Sequence, residues 1–179
     1  MKEAHAGTSV QATELARAFD ASFAGAPDTE TRTFEDVLAI GLGGDPYALR
    51  LAHVAGLFPR RTIVPLPSAL PELLGLVSLR AVIVPVYDLS ALLGGPLRTE
   101  PRWLVLAARA PIALGFDELE GYRRVAPEAI VAAAPGARSS AHVLELVRTG
   151  AQLRPLVHVP QLILAIVARA EQAKQGRGA

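Results

Sequence analysis

Cysteine is absent from this 179-residue chain, which excludes disulfide staples, thiolate metal sites and a cysteine nucleophile together and fits a reducing compartment. Charge of one sign is lacking too. Against 18 Lys+Arg stand 17 Asp+Glu, a net charge of +1, so the electrostatic footprint of a nucleic-acid binder is missing. The opening residues Met1 to His5 carry no apolar block of signal-peptide size. The strongest apolar stretches, Ala81–Val86 and Leu162–Ala168, fall well short of the ~20 residues that span a bilayer. The expectation is a cytoplasmic protein without membrane insertion.

What is present is apolar surface in short pieces. Apolar residues make up 51% of the chain and mean hydropathy is +0.32, enough for one compact domain or two small lobes sharing a core. Residues 1–33 hold Leu15, Phe19 and Phe23 at a helical spacing of four, followed by a polar linker around Pro27. They read as a helical or disordered extension. From Phe34 the pattern becomes strand-like, with apolar runs punctuated by Gly, Pro and Asp. Phe34–Leu42 and Tyr47–Leu51 flank a Gly43-Gly44-Asp45-Pro46 turn as a hairpin. Val54–Phe58, Ile63–Leu66, Leu74–Leu79 and Val82–Val86 follow, with one helical turn at Ala91–Leu93. Trp103–Ala107, Ile112–Phe116, Tyr122–Val125, Val143–Val147 and Leu153–His158 form a second set, interrupted by an exposed loop over Ala132–Ala141. Residues 160–172 carry Leu162, Ile163, Ile166 and Val167 as one face of a C-terminal helix, and residues 173–179 read as a flexible tail.

Residues able to do chemistry are scattered. His5, His53, His142 and His158 stand at no metal-ligand spacing, and His158, between two valines, reads as a structural histidine. Ser78, Ser90, Ser139 and Ser140 lie in no nucleophile elbow. Gly41-Leu42-Gly43-Gly44 is followed by Asp45-Pro46 where a phosphate loop needs a helix start. Asp117, Glu118 and Glu120 read as a solvated bend between strands. No catalytic residue, cofactor site or metal site is assigned.

The most informative stretch is Gly75-Leu76-Val77-Ser78-Leu79-Arg80-Ala81-Val82-Ile83-Val84-Pro85-Val86-Tyr87-Asp88-Leu89. It resembles the signature of CheW-like domains, an apolar run and a Leu-Arg-Gly turn followed by apolar residues, Pro and Asp-Leu. Phe34–Leu51, His53–Leu57, Ile112–Gly121, Pro127–Ile130 and Leu156–Leu162 resemble other family segments in the same order. The resemblance covers about Phe34 to Glu171.

It implies a mainly β fold of two small SH3-like five-stranded β-barrel lobes. Lobe one would span about residues 34–100 and take the C-terminal helix, and lobe two about residues 101–158. The implied function is a non-enzymatic adaptor of bacterial chemotaxis and two-component signal transduction. It would couple the cytoplasmic tip of a methyl-accepting chemoreceptor to the regulatory domain of a CheA-type histidine kinase. Carried over by position, Val54, Gly75 and Arg80 face the receptor, whereas Asp88 is expected to cap the turn after it.

The sequence departs from the pattern at Ser78 for Asn, Ala81 for Gly, Gly56 for an acidic residue and His158 for Asp. These departures leave open a CheW-like module serving a divergent motility, pilus or developmental assembly. A small β-barrel ligand binder or enzyme is the alternative of another class, with a polar pocket around His158, Asp117 or Glu118 as its mark.

Overall fold

The structure, a computed structural model, describes residues 33–133 and 141–175. The chain separates into two compact units, Met1–Thr33 and Phe34–Ala179, and every element described belongs to the second. The Leu15, Phe19, Phe23 stripe, most of the loop expected before Val143 and the last four residues lie outside the described residues.

The chain opens with β1 (Glu35–Leu42) and β2 (Asp45–Arg50), a 3-10 turn at Leu51–His53, and β3 (Val54–Pro59). After a long proline-bearing connection come β4 (Leu73–Leu79), β5 (Val82–Asp88) and the short helix α1 (Leu89–Leu92). The second half holds β6 (Trp103–Ala107), β7 (Ala113–Phe116), β8 (Glu118–Val125) and β9 (Ile130–Ala132), then β10 (Val143–Thr149) and β11 (Gln152–Val157). Helix α2 (Val159–Gln175) ends the described chain. The fold is mainly β, as expected.

The strands form a six-stranded sheet in the order β8-β1-β2-β11-β10-β9 and a five-stranded sheet in the order β3-β6-β7-β5-β4. Both use one topology. A hairpin, β1–β2 or β6–β7, joins in parallel through its second strand to β11 or β5, the second strand of another hairpin. A further strand, β8 or β3, lies antiparallel to the outer side of the first hairpin. Where β9 then pairs with β10, the other sheet has a single bridge from Val64 to Leu76 of β4. The sheets therefore hold six and five strands, not five each.

The expected division near residue 100 does not describe these sheets. The first hairpin belongs with β8 to β11, and β6 and β7 belong with β3 to β5. In chain order the sequence of hairpin, added strand and second hairpin occurs twice, and each time the first hairpin sits in the other sheet from the pieces that follow it. Short apolar runs specify strands but not their partners, so contiguity was the wrong guide to the lobes.

Local chemistry explains the turns. Gly43 and Gly44 take φ of 64° and 92°, the geometry of a tight two-residue hairpin loop that glycine adopts without strain. Pro85 and Pro155 stand one residue before the parallel pairings Val86↔Ala113 and Leu156↔Ala48 begin. Each missing N–H thus falls where that ladder has not started.

Three smaller expectations are corrected. Ile63–Leu66 is no strand, because only Val64 is paired. The acidic bend at Asp117–Glu120 is mostly strand β8, and Glu120 is the extra residue of a bulge between the pairs Ile40↔Leu119 and Ala39↔Gly121. Helix α2 runs to Gln175, beyond the expected end at 172.

The main core lies between the sheets. Leu38, Ile40 and Leu49 meet Val105, Leu114 and Phe116, and α2 adds Leu162 and Ile166. Each sheet also closes over a smaller core of its own: Val77, Leu79, Val84, Val86, Leu104 and Ala113 in one, Val37, Ala48, Val125, Val147 and Leu156 in the other. Arg169 of α2 donates to Glu72 at 2.7 Å, tying the helix to the chain just before β4.

Candidate functional site

Arg80 stands at the tip of the β4–β5 hairpin, between the paired residues Leu79 and Val82. A two-residue loop closing right-twisted strands needs positive φ at both positions, and Arg80 and Ala81 take 51° and 63° without being glycine. Those are the only non-glycine residues with positive φ among the described residues. Sterics charge roughly 1–2 kcal/mol for each such residue, and strain of this kind collects at functional positions.

The side chain of Arg80 is presented rather than buried. Its guanidinium lies 5.7 Å from the centre of the Phe58 ring, a cation–π contact that orients the charge without neutralising it. No carboxylate pairs with Arg80 among the described residues. Gly56 makes room for the stack: a Cβ there would come within 2.9 Å of the Phe58 ring and 3.4 Å of Arg80 Nη2. Beside the tip, Val82 and Ile83 are 53% and 70% exposed. One oriented cation thus sits among uncovered aliphatic side chains, the composition of a protein-binding patch.

The other two carried-over positions differ from Arg80. Val54 begins β3 two residues before Gly56, half-buried against the main core. Gly75 is buried with φ of 143°, and a Cβ on it would lie 2.1 Å from the carbonyl oxygen of Val64. It therefore admits the chain crossing β4 and presents no surface to a partner. Sequence reasoning passed over Phe58 and Gly56 as a support for Arg80, since nothing in the sequence shows that β3 passes the β4–β5 tip.

Asp88 caps α1 as expected. Its carboxylate, 1% exposed, accepts the N–H groups of Ala91 and Arg98 at 3.0 Å each, and burial raises its pKa. A second feature lies where the sheets meet. A groove of about 220 Å³ runs between the 3-10 turn, the β6–β7 connection and the start of α2, lined by Ala52, His53, Ala107, Arg109, Val159 and Leu164 among others. A wider cavity of about 660 Å³ is lined by Arg60, Ile63, Leu66, Leu97 and Pro101 among others. Neither has His158, Asp117 or Glu118 in its wall. No cluster of three or more His, Cys, Asp or Glu side chains could hold a metal among the described residues. No helix there is long and apolar enough to cross a membrane.

The family model of the CheW-like domain matches residues 36–166. The chain belongs to the CheW-like domain family. Among solved structures it resembles the scaffolding protein TtCheW from Thermoanaerobacter tengcongensis, with a TM-score of 0.63 and 17% identity over 69% of this chain and 88% of that one. No curated protein matches the sequence. Family and fold together support an adaptor role, and CheW-like scaffolds are not enzymes. The Arg80 tip falls inside the matched region, as do Val54 and Gly75.

Proposed function

We propose that this CheW-like protein is a cytoplasmic scaffold that couples chemoreceptors to a CheA-type histidine kinase, with the β4–β5 tip as its receptor contact. The observation that carries the reading is Arg80 itself. It is held in a strained turn over Phe58, without an ion-pair partner among the described residues, beside exposed Val82 and Ile83. Apolar contact supplies the association, and a single oriented cation fixes its register and penalises wrong partners. Val54, half-buried on β3 next to Gly56, would extend the same face. Gly75 contributes by shaping β4.

The test is co-assembly with a receptor cytoplasmic tip and the kinase regulatory domain. Arg80→Glu should melt within a few degrees of the parent, because it gives up an exposed cation–π contact worth about 0.5–1 kcal/mol, and should lose receptor capture. Undiminished capture by Arg80→Glu would remove Arg80 from the interface. One observation favours the divergent-assembly reading. With Gly56 in place of an acidic residue, no carboxylate on β3 stands beside Arg80, and the tip meets a partner with a cation, the exposed hydroxyl of Ser78 and the aliphatic Val82 and Ile83. A receptor drawn from a motility or pilus system would then be captured in preference to a standard chemoreceptor, and equal capture of both would count against that reading.

A further inference from the structure

Three of the four histidines converge at the sheet junction, although they are far apart in sequence. The His53 and His158 rings lie 5.8 Å apart at 59°, and the His158 N–H donates to the His142 carbonyl at 2.8 Å. His158 immediately precedes α2 and occupies the N-cap position. Its Nδ1 accepts the N–H of Gln161 at 3.2 Å, the bond an N-cap side chain makes to the third residue of a helix. Pro160 has no N–H, and Leu162 already donates to the His158 carbonyl. Gln161 is thus the first-turn donor the cap must satisfy.

A backbone N–H can only donate, so Nδ1 of His158 carries the lone pair and the ring proton sits on Nε2. Protonation places a second N–H on Nδ1, facing the Gln161 N–H. It also puts positive charge at the positive end of the helix dipole and beside His53. Asp88 caps α1 through Ala91 in the same way, with a carboxylate oxygen in place of the ring nitrogen.

We propose that His158 is a proton-released N-cap, which holds the first turn of α2 when neutral and frees it when charged, and so reshapes the junction groove walled by Val159, Pro160 and Leu164. This goes beyond the adaptor reading and does not depend on which partner the scaffold serves. The charged and titratable groups around the cap come from every neighbouring element. Glu145 on β10, paired with Arg50 of β2 at 2.7 Å, and His53 act on His158 directly; Glu35 of β1, on the other side of Arg50, and Arg109 in the β6–β7 connection act on His53, and Arg169 of α2 acts on His142.

His53 and His142 act in the same direction on overall stability. Each has a buried Nδ1 with no hydrogen-bond partner among the described residues, and burial lowers both pKa values from the ordinary 6.5. In the window below 6.5 the unfolded chain takes up these protons first. Their contribution is therefore present above 6.5 and lost as the pH falls below it. A fall in global stability cannot separate His158 from these two, so the decisive readout is local.

The experiment follows the Gln161 amide by ¹⁵N NMR and hydrogen exchange in the full chain between pH 8 and 5, with no partner added. The expected result is an amide shift that tracks the His158 imidazole. After correction for the intrinsic pH dependence of exchange, first-turn opening should rise about five-fold, the size of one lost N-cap. His158→Asn caps without titrating, so it should fold normally and show neither change. A Gln161 amide insensitive to pH in the parent would overturn the proposal. The same response in parent and His158→Asn would overturn it as well, assigning the effect to His53 or His142.

Discussion

The β4–β5 and β10–β11 hairpins are built to one register and differ in what they carry. Their pairs correspond at a spacing of 70 positions, Leu76↔Pro85 with Leu146↔Pro155 and Ser78↔Ile83 with Arg148↔Leu153, and both bulge at the same place, Leu73/Gly75 and Val143/Glu145. Each runs into a helix capped by the residue three beyond its proline, Asp88 or His158. The tips differ: Arg80 and Ala81 in one hairpin, Gly150 and Ala151 in the other. The insides differ too, with Val84 in an apolar core where the other hairpin buries Arg154. A shared backbone pattern fixes the fold, and side chains at equivalent positions divide the labour: one tip presents a cation, and the other lobe spends its polar residues internally.

The bulge position breaks the equivalence most sharply. At Gly75 a Cβ meets the backbone of Val64 and Pro65 rather than a side chain that can move aside. Gly75→Ala should therefore cost about 3 kcal/mol or more, through a backbone shift at an unfavourable φ. Its counterpart Glu145 is partly exposed and accepts two hydrogen bonds from Arg50. Glu145→Gln should cost about 1 kcal/mol. Urea unfolding of both variants measures the contrast, and equal losses would mean that the Val64 crossing does not constrain β4.

Next in size is the buried arginine. Arg154, with its side chain 5% exposed, donates to both carboxylate oxygens of Glu120, to Thr149 and to the Gln152 side chain. The β8 bulge brings Glu120 to it, the re-aiming that bulges perform. Glu120→Ala should cost about 2 kcal/mol, since it leaves a buried cation with only neutral acceptors. Replacing both with apolar residues, Arg154→Val with Glu120→Leu, should recover most of that loss and make the lobe resemble its counterpart around Val84. Arg154 holds the Glu120 carboxyl below its ordinary 4.5. The pair's contribution is therefore present above 4.5 and disappears as acid titrates Glu120 through its lowered value. A double variant as unstable as Glu120→Ala alone would contradict this account.

These equivalences also show what the sequence made legible. Apolar alternation and turn residues located most strands within one or two positions, and the Gly75–Leu89 segment carried the family. Asp88 was read as a cap from residue type and position alone. The partners of the strands were not legible, because β3 pairs with β6 and β8 with β1 across long stretches of chain. For the same reason Phe58 and Gly56 gave no sign of supporting Arg80. Arg154 sits in an apolar run and its Glu120 partner in what reads as a polar bend, so a contact 34 residues apart left no local mark. The two clusters of strands show no alignable sequence repeat, because the 70-position correspondence keeps register and proline placement rather than residue identity.

The smallest expected effect bears most directly on function. Ala81 has φ of 63°, and at the tip of the β10–β11 hairpin the left-handed residue is Gly150, the counterpart of Arg80, with φ of 65°. Ala81→Gly should stabilise the chain by about 0.5–1 kcal/mol, because relief of the Cβ clash exceeds the added freedom of the unfolded state. Gly150→Ala should destabilise by about 1 kcal/mol for the converse reason. Thermal melts of the two single variants would then move in opposite directions. If strain at the β4–β5 tip holds Arg80 over Phe58, Ala81→Gly should also weaken partner capture by a few-fold while raising the melting temperature, since a freer tip presents the same cation less often in its bound geometry. Gly150→Ala should leave capture unchanged. A stabilised Ala81→Gly that binds as tightly as the parent would show that the strained turn is a tolerated substitution and that orientation of Arg80 rests on Phe58 alone.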